Sequence, residues 1–130
     1  MRQILLATAL ALAVTAGAAR AAEDDTGARL YLNHCAACHG DDGEGGGPVA
    51  ATMNVAVPNL RALAQRNAGV FPADAVTAYI DGRELKAAHG DRQMPIWGDV
   101  FRGPEQGTAE RTVRRRITAL VDFIAMLQYP

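Results

Sequence analysis

The sequence has few cysteines, few aromatic residues and no excess of charge of either sign. Its 130 residues include two Cys, three Phe, three Tyr and one Trp, and 13 basic against 14 acidic side chains. This charge balance excludes a dedicated nucleic-acid binder, which carries a clear basic excess. Two cysteines alone cannot form a disulfide framework. We expect one domain with a thin core, which a metal, a cofactor or a crosslink would stabilise.

The longest apolar run of the chain is short for a membrane span. It covers residues 4–18, after the basic residue Arg2, whereas a spanning helix needs about 20 apolar residues. A small-x-small tripeptide of the kind that precedes signal-peptidase cleavage ends at Ala21. We therefore expect residues 1–21 to be a cleaved signal peptide rather than an N-terminal anchor. Residues 22–130 would then enter the periplasm, without stable membrane insertion and with 11 basic and 14 acidic residues.

The mature sequence has helical periodicity and no convincing strand pattern. The last segment has the clearest apolar stripe at a period of 3.6 residues, formed by Val113, Ile117, Leu120, Val121, Ile124 and Leu127. Glycine- and proline-rich stretches separate the helical segments. We predict an all-α fold of three to five helices. The helical segments are expected at residues 26–37, 59–65, 72–82 and 108–128, with loop-like structure at 41–48, 83–101 and 103–107.

Cys35, Cys38 and His39 form the C-x-x-C-H motif of c-type haem attachment. Residues at i, i+3 and i+4 share one helix face, so both thiols and the imidazole can meet one flat ligand. A redox dithiol normally opens the helix of a βαβ unit, which this sequence does not suggest. A structural zinc site needs four ligands, and His34 and His89 complete such a set poorly. We therefore predict one haem c, bound covalently through Cys35 and Cys38, with His39 as an iron ligand.

The mature chain resembles the class I monohaem c-type cytochromes, here of the exported bacterial kind. The resemblance rests on the segments Gly27–Gly40, Gly45–Pro48, Pro58–Leu60 and Met94–Gly98 and on the C-terminal helix. It implies a small fold in which helices pack around a covalently bound haem and the N- and C-terminal helices cross. It also implies that Pro48, in the loop after the motif, supports the proximal His39.

The resemblance further implies that a methionine thioether is the second axial ligand of the iron. The mature chain has three methionines. Met126 faces away from the apolar stripe of the last helix, and Met53 lies in an apolar loop where methionine often fills a gap. Met94 lies in a loop that Pro95 stiffens. We assign Met94 as the ligand, with Met53 and His89 as the alternatives.

Four further features concern the surroundings of the haem and the docking of partners. Trp97 either covers the methionine side of the haem or has a simple packing role. His34 is interpreted as a surface or haem-edge residue. The basic cluster of the last helix is either a solvated face or a docking patch, and it consists of Arg111, Arg114, Arg115 and Arg116. Lys86 is the single lysine, so the ring of lysines through which mitochondrial cytochrome c docks is lacking.

The predicted function is electron transfer, by a periplasmic carrier that is not itself an enzyme. One alternative is a haem-based sensor or peroxidase-like protein, which requires an open position on the iron. Another is a dedicated cytochrome subunit of a periplasmic dehydrogenase. The expected partners are redox proteins and not nucleic acid, with the chain acting as a monomer or as a subunit of a periplasmic oxidoreductase.

Overall fold

The computed structural model describes residues 26–85, 92–102 and 109–130. Within these ranges the chain is helical and contains no strand, which confirms the all-α class. The elements in order are α1 (26–34), α2 (Ala36–His39), η1 (Ala50–Thr52), η2 (Leu60–Ala62), α3 (Leu63–Arg66), α4 (Ala73–Asp81), α5 (Trp97–Arg102) and α6 (Ala109–Met126), where η denotes a 3₁₀ turn. Two of the six α-helices in the described ranges, α2 and α3, have only four residues each. The predicted signal peptide, Lys86 and His89 lie outside the described residues.

Helices α1 and α6 cross in direct backbone contact, as the resemblance implies. At Gly27 a β-carbon would collide with the carbonyl oxygen of Ala119 and with the side chain of Phe123. One turn further along α1, the Tyr31 ring lies 5.3 Å from the Phe123 ring, between centroids. Only glycine permits so close an approach, because any side chain at position 27 would push the two helices apart.

Helix α6 supplies half of the buried core residues through its apolar stripe. Five of the six predicted stripe residues are buried, namely Val113, Ile117, Leu120, Val121 and Ile124. The sixth, Leu127, is half-buried and follows the end of the helix, and Met126 is exposed, as its place on the helical wheel predicts. The other members of the cluster are Tyr31 of α1, Cys35, Ala36 of α2, Ile80 of α4 and Phe101 of α5. No helix in the described ranges is both long enough and apolar enough to cross a membrane.

Helix α5 corrects the prediction of loop-like structure over residues 83–101. Its six residues include Gly98, a poor helix former, and the segment is too short to show a periodic pattern. Tertiary packing accounts for the helix, since α5 packs against both α4 and α6 and its Phe101 is only 2 % exposed.

An ion-pair network ties the ends of α4, α5 and α6 together. The Arg83 guanidinium donates to both carboxylate oxygens of Asp81, at 2.5 and 2.7 Å, and to both of Glu110, at 2.9 and 2.8 Å. The Asp81 and Arg83 side chains lie directly on Gly98, where a β-carbon would collide with both. Gly98 therefore lets the network reach the backbone of α5, next to Trp97.

Candidate haem site

The C-x-x-C-H motif forms a single helical turn after a break in the first helix. Cys35 interrupts the helix between α1 and α2, with φ −116° and ψ −38°. Its carbonyl oxygen accepts hydrogen bonds from the amides of Cys38 at 3.1 Å and His39 at 2.9 Å. Cys35 and His39 are each 8 % exposed, Cys38 is half-buried, and both thiols are free. The motif residues thus lie in one helical turn, as the i, i+3, i+4 spacing predicts.

Burial keeps the two buried motif side chains in their neutral forms. It raises the pKa of the Cys35 thiol to about 12, with a smaller contribution from the nearby Cys38. Burial also lowers the pKa of His39 below its ordinary value, although a backbone hydrogen bond partly offsets this effect. A neutral imidazole has a free lone pair on one ring nitrogen, which is the form that binds a metal.

The carbonyl of Pro58 is the hydrogen-bond partner of the His39 ring. Nδ1 of His39 lies 3.3 Å from the carbonyl oxygen of Pro58. A carbonyl only accepts hydrogen bonds, so this contact places the hydrogen on Nδ1 and leaves the lone pair on Nε2. Pro48 is exposed and belongs to the glycine-rich loop that folds back on α2. Pro58 thus makes the hydrogen bond to His39, and the supporting role that the resemblance implies for Pro48 stays a prediction.

Backbone hydrogen bonds bring Pro58 to the motif. The amide of Gly45 donates to the carbonyl of His39 at 2.7 Å, and the amide of Leu60 donates to the carbonyl of Gly43 at 2.8 Å. The fully buried Tyr31 also donates from its hydroxyl to the carbonyl of Gly40 at 2.7 Å. The loop after His39 is thus held at both ends, and the segment that contains Pro58 pairs with it.

A cavity of about 610 Å³ lies against the motif. Cys35, Cys38 and His39 line it, together with Met53, Met94, His34 and Trp97. Apolar side chains from the 55–63 segment, α4 and α6 form most of the remaining wall, and they are Val55, Val57, Leu60, Leu63, Val76, Ile80 and Ile124. The volume is within the usual range for a small-molecule or cofactor site.

The residues of this cavity fit a haem. Two thiols, an imidazole with its lone pair on Nε2 and two thioethers border one apolar space. An apolar wall suits the macrocycle, and imidazole and thioether are the ligand pair of cytochrome-type haem iron. In the described part of the chain no group of three or more His, Cys, Asp and Glu side chains could hold a metal ion instead.

The two candidate methionines lie in different surroundings. Both Met53 and Met94 border the cavity and are half-buried. Met94 packs against the buried core, and Arg92 donates a hydrogen bond to its backbone carbonyl at 2.8 Å. Met53 ends the short η1 turn, with exposed residues on either side of it. Met94 is therefore the more firmly placed thioether.

His34 and Trp97 belong to an aromatic cluster at the cavity wall. The His34 ring lies 5.2 Å from that of Trp97 and 5.3 Å from that of Phe101, and Trp97 stacks on Phe101 at 5.6 Å. His34 is thus half-buried rather than a surface residue, and it lies where a haem-edge residue is expected.

The four arginines of α6 are exposed, and the Cζ atom of Arg116 lies 5.7 Å from the centroid of the Phe101 ring. A docking patch formed by these arginines stays a prediction.

Sequence reasoning missed two contributors to the site. The Pro58 carbonyl is a backbone group, so no residue type marks it. Arg92 precedes Met94 by two positions, and its contacts depend on the end of α4 being close in space. No pattern in the neighbouring sequence indicates either the Pro58 carbonyl or the contacts of Arg92.

A helical domain with a C-x-x-C-H turn on the wall of a large apolar cavity is built to hold a haem of the c type. The protein-family model for cytochrome c matches residues 25–128, and the chain belongs to this family. Members carry covalently bound haem c with its iron and serve in electron transfer. Comparison with curated proteins and with solved structures found no match.

Proposed function

We propose that this chain is a class I monohaem cytochrome c, exported to the bacterial periplasm, that carries single electrons with His39 and Met94 as axial iron ligands. The observation that carries the proposal is that Cys35, Cys38, His39 and Met94 all border one apolar cavity. The bound haem iron would supply the one-electron redox couple.

The motif residues have distinct tasks in this proposal. Cys35 and Cys38 would hold the haem through thioether bonds, by addition of each thiol S–H across one vinyl group, and this attachment would prevent loss of the cofactor from so small a fold. His39 presents Nε2, because its Nδ1–H is directed at the Pro58 carbonyl. That second hydrogen bond fixes the ring orientation and raises the basicity of the ligating nitrogen.

Met94 completes the coordination sphere in this proposal. Its thioether is neutral and soft, and it favours the ferrous state relative to a second imidazole. The apolar wall also favours the ferrous state, because it disfavours the extra positive charge of the ferric state. His39 and Met94 together would close the iron to small external molecules, whereas the sensor and peroxidase-like alternatives require an open position.

Partners are proposed to be other redox proteins that exchange electrons at the haem edge, with the chain acting as a carrier or as a subunit of a periplasmic oxidoreductase. Val55 and Tyr79 border the cavity and are exposed apolar residues, and the exposed Ile96 follows Pro95, which also borders the cavity. The exposed α6 arginines would make docking sensitive to salt if they steer the partner.

Mass spectrometry and optical spectroscopy of the exported protein test the proposal. Expression in a host with cytochrome c maturation should give residues 22–130 at the polypeptide mass plus one haem. Met94→Ala should abolish the far-red sulfur-to-iron band, lower the reduction potential and open the iron to carbon monoxide. Met53→Ala is the matched control, because Met53 borders the same cavity, and it should change little.

Three outcomes would count against the proposal. A protein at the bare polypeptide mass would remove the haem assignment. An unchanged spectrum and potential in Met94→Ala would remove the ligand assignment. Ready binding of carbon monoxide by the unsubstituted protein would give precedence to the sensor or enzyme alternatives.

A further inference from the structure

Arg92 joins the backbone around Met94 to the end of helix α4. Its Nε donates to the carbonyl oxygen of Met94 at 2.8 Å, and its Nη2 donates to the carbonyl oxygen of Pro95 at 3.3 Å. The same Nη2 donates to the carbonyl oxygen of Tyr79 in the last turn of α4. One guanidinium therefore contacts three backbone carbonyls from two separate parts of the chain.

The end of α4 is suited to receive this side chain. The Tyr79 carbonyl belongs to the last turn, where carbonyls have no partner within the helix. The amide of Arg83, which a longer helix would direct to it, donates to Oδ1 of Asp81 at 3.3 Å instead. A cation at this position also complements the negative end of the helix dipole.

The aromatic ring and the glycine at the end of α4 fix the guanidinium in place. Its Cζ lies 4.5 Å from the centroid of the Tyr79 ring, within the range of a cation–π contact. Gly82 has φ +71°, and a β-carbon there would lie 3.1 Å from Cζ of Arg92. Gly82 thus leaves the space that the planar guanidinium occupies.

We propose that Arg92 is a positioning residue that holds the Met94 backbone against α4 and so keeps the thioether in the cavity. The inference rests on the proposed role of Met94 as an iron ligand. Loss of the contacts at Arg92 would release the 94–95 backbone, and the state with the thioether withdrawn would become more populated. An external ligand of the iron would then compete more easily with Met94.

Arg61 offers a matched control, because it makes the same kinds of contact away from the cavity. Its Nε donates to the carbonyl oxygen of Leu127 at 3.0 Å, and its Cζ lies 4.4 Å from the centroid of the Tyr129 ring. Arg61 does not line the cavity. Arg61 also forms an ion pair with Glu44 at 3.0 Å. Arg61→Gln thus removes a backbone contact, an aromatic contact and an ion pair, whereas only Arg92→Gln alters contacts next to Met94.

The experiment titrates the ferric haem-loaded protein with imidazole and records the far-red sulfur-to-iron band and the melting temperature. Arg92→Gln should tighten imidazole binding about tenfold, the factor expected from loss of a charge-assisted hydrogen bond, and should weaken the band. Arg61→Gln should lower the melting temperature and leave the imidazole affinity close to that of the unsubstituted protein. Arg92→Lys, with one donor group in place of a fork, should lie between Arg92→Gln and the unsubstituted protein.

The results separate this inference from the proposed function. If Met94→Ala abolishes the band while Arg92→Gln and Arg61→Gln have equal imidazole affinities, Arg92 is only a structural residue and the inference is overturned. If Met94→Ala leaves the band unchanged, the ligand assignment itself fails. Should Arg92→Gln not fold, the comparison of Arg92→Lys with Arg61→Lys decides, and equal imidazole affinities again overturn the inference.

Discussion

The carbonyl oxygen of Pro58 lies 3.3 Å from Nδ1 of His39, nineteen positions earlier in the chain. The ring of the proposed iron ligand is therefore oriented by a backbone group from a different segment. Because the proline ring restricts φ at position 58 and the conformation of the residue before it, the carbonyl is held in a narrow range of positions.

Pro58→Ala should raise the reduction potential of the haem iron. The added backbone freedom weakens the hydrogen bond at Nδ1, which makes the imidazole less basic and stabilises the ferric state less. The free energy of unfolding should also fall by about 1 kcal/mol, because the unfolded chain gains freedom. Voltammetry and denaturant titration measure the two effects.

Pro48→Ala is the control for this prediction. It adds similar freedom to the unfolded chain, but Pro48 is exposed, and the carbonyl that faces Nδ1 of His39 belongs to Pro58. Its potential should match that of the unsubstituted protein. A larger shift of potential in Pro48→Ala than in Pro58→Ala would restore the assignment made from the resemblance.

The sequence predicts those features that depend on residues close to one another in the chain. The C-x-x-C-H turn depends on a single helical turn, and the stripe of α6 depends on a period of 3.6 residues, so both follow from residue type and position alone. The resemblance implied that α1 and α6 cross, whereas the position of their contact at Gly27 is a finding of the structure.

The features that the sequence did not predict depend on contacts between distant segments. Helix α5 forms because Phe101 is buried and because Asp81 and Arg83 close over Gly98. The contact of Pro58 with His39 depends on the hydrogen bond that the Leu60 amide donates to the Gly43 carbonyl. Local propensity does not predict these contacts, because they are formed by tertiary packing.

Gly27→Ala should destabilise the protein, although alanine is the better helix former by about 0.5–1 kcal/mol. The added β-carbon would collide with the backbone carbonyl of Ala119, which cannot rotate away as a side chain could. We expect the free energy of unfolding to fall by about 1–3 kcal/mol. Denaturant titration of the haem-loaded protein measures the change.

Leu32→Ala, at an exposed position of the same helix, should change the free energy of unfolding by less than about 0.5 kcal/mol. A gain in stability for Gly27→Ala would mean that helix propensity dominates. In that case α1 and α6 would not be in the close contact described here.

The ion pair of Asp81 should make stability depend on acid pH. Hydrogen bonds from the Arg83 guanidinium hold the pKa of Asp81 below its usual value, which is about 3.9. A carboxyl with a lowered pKa stabilises the fold fully above its usual value, and this contribution is lost as the pH falls through the lowered value. Asp81→Asn should therefore be less stable at pH 7 and should show a shallower loss of stability below about pH 5.

Melting temperatures across the acid range measure this pH dependence. Asp122→Asn, at an exposed position of α6, should keep the slope of the unsubstituted protein. Equal slopes for Asp81→Asn and the unsubstituted protein would show that the Asp81–Arg83 contact contributes nothing to stability.

Removal of the haem should unfold the chain. The cavity of about 610 Å³ lies among α1, α2, α4 and α6, and its wall is mostly apolar. Without the cofactor these side chains would face water or collapse onto one another, and a core with so few aromatic residues cannot compensate. Cys35→Ser combined with Cys38→Ser should therefore give a protease-sensitive chain with little helical circular dichroism and no cooperative melting. The reason is that this variant lacks the stability that haem binding adds to the folded state.

Met53→Ala is the control, because it alters the same cavity but keeps both attachment points, and it should retain a cooperative transition. Native helical content and a sharp melting curve in the double serine variant would show that the helices pack without the haem.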